Sequence, residues 1–169
     1  MLALALVLAV VVDVPTAAGA RPGRYAWPLA APHPVVRVFS APTTPYGPGH
    51  RGVDLGGTAG EAVFAAGDGT VVFAGPIGGR QVVSLAHGDG LRTTYEPVEP
   101  LVRAGSAVRR GERIGTLLAG HEGCPVAACL HWGARRGVDY VNPLRLVTAG
   151  RVRLLPLAPE GRAGFGGGG

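Results

Sequence analysis

From Val53 onward the chain never sustains a helical repeat of apolar residues. AVFAA, TVVFAG, QVVSLAHG and LRTTYEPV are short runs rich in β-branched and aromatic residues, each bounded by glycine or a turn pair. Strands of about five residues satisfy such runs; helices need longer periodic segments. With 29 Gly and 15 Pro in 169 residues, turns are frequent enough to separate every run. The fold class expected is all-β, an antiparallel β-sandwich or open barrel. The length suits one domain with a substantial core and is short for two.

The runs can be ordered. Val35 to Phe39 is a first short strand. AVFAA and TVVFAG form a hairpin through GDG, and QVVSLAHG and LRTTYEPV another through Asp89-Gly90. VRAGSAVRRGERIGTLL continues the pattern, and LHWGA, DYVNPLRLV and RVRLLP supply the last strands.

The ends differ in composition. Residues 1–20 have the form of a secretory signal, with an apolar run from Leu2 to Val12 and a small-x-small site at Ala18-Gly19-Ala20. The segment lacks a basic start, and its apolar run is too short to span a bilayer. The expected location is therefore secreted or in the cell envelope, with no stable membrane span after the signal is removed. Residues 21–34 form a Pro-rich extended lead-in, 35–155 the β domain, and 156–169 a disordered, Gly-rich tail. All 16 basic residues are arginine and the net charge is +5, which suits an anionic partner. No basic run is interleaved with aromatics, so nucleic acid is not the expected one.

HRGVDL and CPVAACLHWG hold the candidate chemistry. On a straight strand His50 and Asp54 would lie about 13 Å apart, so one metal could take both only if the chain bends. Gly52 is where a bend costs least. His131 is the best third ligand. Zinc held by three protein ligands keeps a fourth position for water, the mark of a catalytic site. The residues alone leave a second reading open, two surface residues and an unrelated core histidine. His87 begins a turn, and Trp132 and Tyr140 suit a core or a groove wall.

The order YGPGHRGVDL, GEAVFAAGDGTVVFAG, VSLAHGDGLRTTYEPV, VRAGSAVRRGERIGTL, CLHWGARRGVDYVNPL resembles the lysostaphin/LytM family of zinc metallopeptidases, family 23, over Val36 to Leu146. The resemblance implies a LytM-like β domain of the duplicated hybrid type with an open cleft. It also implies Zn²⁺ and hydrolysis of peptidoglycan peptides. The family's metal motifs, His-x-x-x-Asp and the second His of His-x-His, fall on His50, Asp54 and His131. Its two assisting histidines do not carry over, because Cys129 and Pro97 stand at those positions. General acid–base help is worth about 10²–10⁴-fold, so substitutes matter. Tyr95, Glu96, His121 and Glu122 are the candidates, and His121 is the foremost because its Gly-flanked loop could fold over the cleft.

Cys129 and His131 share a strand face. A Cys129 thiolate could close the zinc site as a fourth ligand, leaving it structural. A disulfide to Cys124 would instead staple the loop entering the His131 strand, worth about 2 kcal/mol in the chain-entropy model. Export and the spacing of five favour the staple. Two functions follow: a secreted zinc endopeptidase, or a degenerate module that binds wall peptides or regulates a partner cell-wall hydrolase. VRAGSAVRRGERIGTL also resembles the biotin- and lipoyl-carrier barrel, which attaches its cofactor to lysine. This chain has none.

Overall fold

The computed structural model describes residues 23–44 and 47–148. The expected signal at 1–20, the RVRLLP strand and the tail at 156–169 lie outside them.

Eleven strands and one short helix follow in order: β1 (Val35–Arg37), β2 (Gly52–Gly57), β3 (Ala62–Phe64), β4 (Gly69–Ile77), β5 (Arg80–Ala86), β6 (Leu91–Glu96), β7 (Val98–Pro100), β8 (Ala107–Val108), β9 (Arg113–Leu117), β10 (Ala128–Arg136), β11 (Asp139–Tyr140) and α1 (Leu144–Thr148). An eight-stranded antiparallel sheet has the order β1-β2-β10-β6-β5-β4-β8, with β11 on β10; a smaller sheet has the order β3-β9-β7. The architecture is all-β and antiparallel, as the run pattern requires.

One apolar cluster joins the two sheets. Val53, Leu55, Leu85, Tyr95, Leu130 and Trp132 come from the large sheet, and Val63, Val98, Ile114 and Leu117 from the small one. Burying side chains of this size stabilises by about 1.5–3 kcal/mol each. Period-two alternation is plainest in β6: Leu91, Thr93 and Tyr95 are buried, while Arg92, Thr94 and Glu96 take the other, half-exposed face.

The β5–β6 hairpin forms as expected. His87 N–H donates to Leu91 O at 2.9 Å, and Gly90 supplies a φ of +79°. The first expected hairpin does not form. β3 pairs with β9, and β4 with β5 and β8. Ala65 and Ala66 leave the strand between them: Ala65 N–H donates to Glu112 O, and Ala66 N–H to the Tyr95 hydroxyl at 2.9 Å. GDG therefore carries the chain from one sheet to the other.

DYVNPLRLV also departs from expectation, splitting into β11 and α1. Asn142 Oδ1 accepts from Leu144 N–H at 3.0 Å, and Pro143 stands immediately before the helix, a cap-plus-proline start that a strand assignment overlooks. The lead-in belongs to the domain. Tyr25 and Leu29 are buried, Ala26 N–H donates to the Ala66 carbonyl, and Phe64 N–H donates to the Pro28 carbonyl.

Candidate metal centre

β2 and β10 pair with Asp54 opposite His131, and β10 pairs with β6 with His131 opposite Glu96. His50 lies just before β2, held by an antiparallel bridge to Ser40. Gly52 opens β2 with no positive φ, so conformational ease at a bend is not its role. A Cβ there would meet Trp132 O at 2.5 Å and His131 Nε2 at 2.7 Å. Glycine is needed because the imidazole and the neighbouring backbone fill that space.

His50, Asp54 and His131 meet at one point. His50 Nε2 lies 2.9 Å from Asp54 Oδ1 and 3.0 Å from His131 Nδ1, and His131 Nδ1 lies 2.9 Å from Asp54 Oδ1. His50 Nδ1 is 2.8 Å from Val38 O. A carbonyl can only accept, so Nδ1 carries a proton and Nε2 is the atom turned toward the cluster. Asp54 Oδ1 is an acceptor. These three atoms lie close enough together for one cation to be bound by all of them. Separations of this size would let one ion reach all three atoms at about 2.0–2.1 Å, the range for zinc on nitrogen and carboxylate oxygen. The donor set fits zinc, and these three form the metal-competent group found among the described residues. Burial would raise the Asp54 carboxyl, but His121 and His131, with His50, outweigh it and hold it well below the usual carboxylate range.

His121 lies within this site. Its side chain is 9% exposed, and it stacks on His131 with ring centroids 5.6 Å apart. Its Nε2 is 3.3 Å from Asp54 Oδ1, and its Nδ1 is 4.0 Å from Glu96 Oε1. Neither nitrogen completes a hydrogen bond, and Asp54 Oδ2 is likewise buried without a partner. Glu96 is held by Arg80 at 3.0 Å. Glu122 lines the cleft; Tyr95 does not, being fully buried with its hydroxyl bonded to Ala66 and Thr93.

Cys129 is buried and joined to Cys124 with S–S 2.03 Å, so no thiolate is available for the metal. Pro97 is buried after β6, contributing its carbonyl to Leu118 N–H. His87 is a satisfied core histidine, bonded to Asp68 O and Thr93 Oγ1. Trp132 is core, and Tyr140 lies beneath the Arg51 guanidinium, 5.4 Å from ring centroid to Cζ. The cleft around the centre has a volume of about 510 Å³. Its arginines, Arg37, Arg51 and Arg80, were not singled out by sequence; they are scattered singly through unrelated segments, and only the fold gathers them.

Known proteins match this arrangement. The model of peptidase family M23 covers residues 48–143. An uncharacterized protein of Mycobacterium tuberculosis is 55% identical over 143 residues, 82% of this chain and 57% of its own length. The chain thus spans little more than half of that relative. The murein hydrolase activator NlpD of Escherichia coli is 34% identical over 100 residues, 57% of this chain and 26% of its own. The catalytic domain of lysostaphin from Staphylococcus simulans superposes with a TM-score of 0.58 over 68% of this chain and 92% of that one, at 22% identity, a likeness of fold.

Proposed function

The chain belongs to peptidase family M23, and from that membership we propose that it is an exported zinc metallopeptidase acting on peptidoglycan peptides. The observation that carries this reading is the convergence of three metal-competent atoms beside buried, unpartnered nitrogens of His121. His50, Asp54 and His131 would hold the metal. Zinc held there supplies a Lewis acid for an amide carbonyl and lowers the pKa of water to about 7.

The chain's own residues set up the rest. The Val38 carbonyl fixes the His50 tautomer, so Nε2 is always the presented atom. His121 has an uncommitted ring beside the centre, suited to accept a proton from the attacking water and return it to the leaving amine. Glu96 lies 4.0 Å from Nδ1, a carboxylate beside the ring that would take up the proton. The imidazole would then come from a loop, replacing those missing at Pro97 and Cys129.

Those two departures support a second reading: a module that has kept the metal centre and regulates a partner hydrolase. The relative named as a murein hydrolase activator is consistent with it. One experiment separates the two. Zinc is quantified by elemental analysis, and the protein is then incubated with purified peptidoglycan while new free amines are measured. Zinc with amine release supports the peptidase; stoichiometric zinc without release supports the regulator. Absence of bound zinc from protein loaded with excess metal removes both metal-based readings.

A further inference from the structure

β6 and β10 place Arg92 and Arg135 directly opposite each other on the cleft face of the sheet. Facing residues in such a pair have Cβ atoms about 4.5–5.5 Å apart, where like charges destabilise. Arg92 Nε donates to Ser84 Oγ at 2.8 Å, and Arg135 Nη1 donates to Gly137 O. Among the described residues neither guanidinium is paired with a carboxylate, whereas Arg24, Arg80 and Arg136 each are. Burial first, and then the charge of Arg135, lower the Arg92 pKa from its ordinary value. The folded protein thus sets two cationic side chains at facing positions of paired strands, an arrangement that an oxyanion bound by both would relieve.

The pair is connected to the metal centre. Three facing pairs follow along the two strands on the same side: His131 with Glu96, Gly133 with Thr94, and Arg135 with Arg92. A cavity of about 320 Å³ runs along β10 from His131 to Arg135, bordered by Arg51 and Tyr140. A further cavity of about 180 Å³ continues past Arg92 and Arg135 to Phe73, Ile77 and Val82. Gly133 leaves the floor low. Arg135 lies four residues beyond His131 on one strand, about 13 Å at 3.3 Å per residue. An extended peptide covers that distance in about four residues.

We propose that Arg92 and Arg135 form a subsite for an anionic group of the substrate, a carboxylate about four residues along an extended peptide from the bond held at the metal centre. The distance rests on the peptidase reading above; the anion site itself does not. The substrate class is therefore an acidic peptide, with the guanidinium pair gripping the carboxylate and the apolar pocket beside it receiving the residue next to the acid.

The test uses the full chain in two states. In metal-free protein, binding of an acetylated, amidated peptide containing one Glu is compared with its Gln counterpart by fluorescence anisotropy. The Glu peptide should bind about tenfold tighter at low salt, and the preference should shrink as salt rises. Arg92→Gln and Arg135→Gln should each abolish it. Equal affinity for the two peptides, or a preference that survives both substitutions, overturns the proposal. Arg135→Gln should leave the melting temperature unchanged or raise it by about 2 °C, since it removes a repulsion. A fall would contradict the opposition on which the site rests.

In zinc-loaded protein, peptide hydroxamates with Glu placed two to six residues from the hydroxamate should bind best near four. A flat series overturns the distance. An oligomer of glycerol phosphate supplies the other source of oxyanions. Tighter binding of it than of the Glu peptide, with the same arginine dependence, would assign the site to a phosphodiester polymer and overturn the peptide assignment. Failure to bind zinc with the Glu preference intact would defeat the proposed function alone; the reverse result would defeat the subsite alone.

Discussion

Two clusters of buried histidine occupy this small molecule, and they are built on opposite principles. Around His87 every proton is assigned. Ala66 N–H donates to Tyr95, Tyr95 to Thr93, Thr93 to His87 Nε2 and His87 Nδ1–H to the Asp68 carbonyl, at 2.9, 2.9, 2.8 and 2.8 Å. The carbonyl at the far end fixes the tautomer, and the tautomer fixes the direction of every bond. Around His50 and His131 the same fixing occurs at Val38, yet it turns the free His50 nitrogen toward Asp54 and His131 rather than into a closed chain. The first cluster is complete with protein atoms. The second brings three metal-competent atoms to one point, so burial and hydrogen bonding alone do not tell a structural histidine from a candidate ligand.

Substitution in each cluster should separate the two most sharply. His131→Ala should abolish stoichiometric zinc binding, measured by elemental analysis after dialysis, while His87→Ala should retain it. Full zinc content in His131→Ala would end the contrast. Next in size is His121→Ala, which should keep zinc but lose about 10²–10⁴-fold in amine release from peptidoglycan. Unchanged release would assign the loop histidine a packing role.

Metal removal comes third. Stripping zinc by chelation should lower stability by about 4 kcal/mol relative to protein at a thousandfold excess over the dissociation constant, read as a fall in melting temperature. His87→Ala should show the same increment, since its cluster takes no part. The smallest effect is alkaline. Burial pushes the Tyr95 hydroxyl up to about 12. A raised folded-state value means that its contribution is fully present below pH 10 and is lost as pH rises to about 12, on the order of 2–3 kcal/mol. Tyr95→Phe should flatten that part of the stability profile in urea titrations, and an unchanged slope would remove Tyr95 as its source.

Much of this was legible in the sequence for a definable reason. Local alternation and turn pairs carry the information for β class and for the β5–β6 hairpin, because both are settled within about a dozen residues. Pairing between sheets is not local. AVFAA and TVVFAG look like hairpin partners until Ala66 is bound by a tyrosine 29 residues away. The DYVNPLRLV stretch did contain its answer, in Asn142-Pro143. At the site, motif order was enough to nominate His50, Asp54, His131 and the loop residue His121, which the fold gathers within a few ångströms. The reason for Gly52, the withdrawal of Tyr95 into the core and the facing of Arg92 with Arg135 depend on strand register, which residue spacing does not reveal.

The sulfur bridge from residue 124 to residue 129 has a practical consequence for anyone who prepares this protein. It shortens the leash on the segment between β9 and β10 that delivers His121. Material produced where thiols stay reduced would hold that imidazole on a longer tether. The oxidation history of a sample thus becomes a hidden variable in any measured turnover, and two laboratories could disagree about activity while holding the same chain.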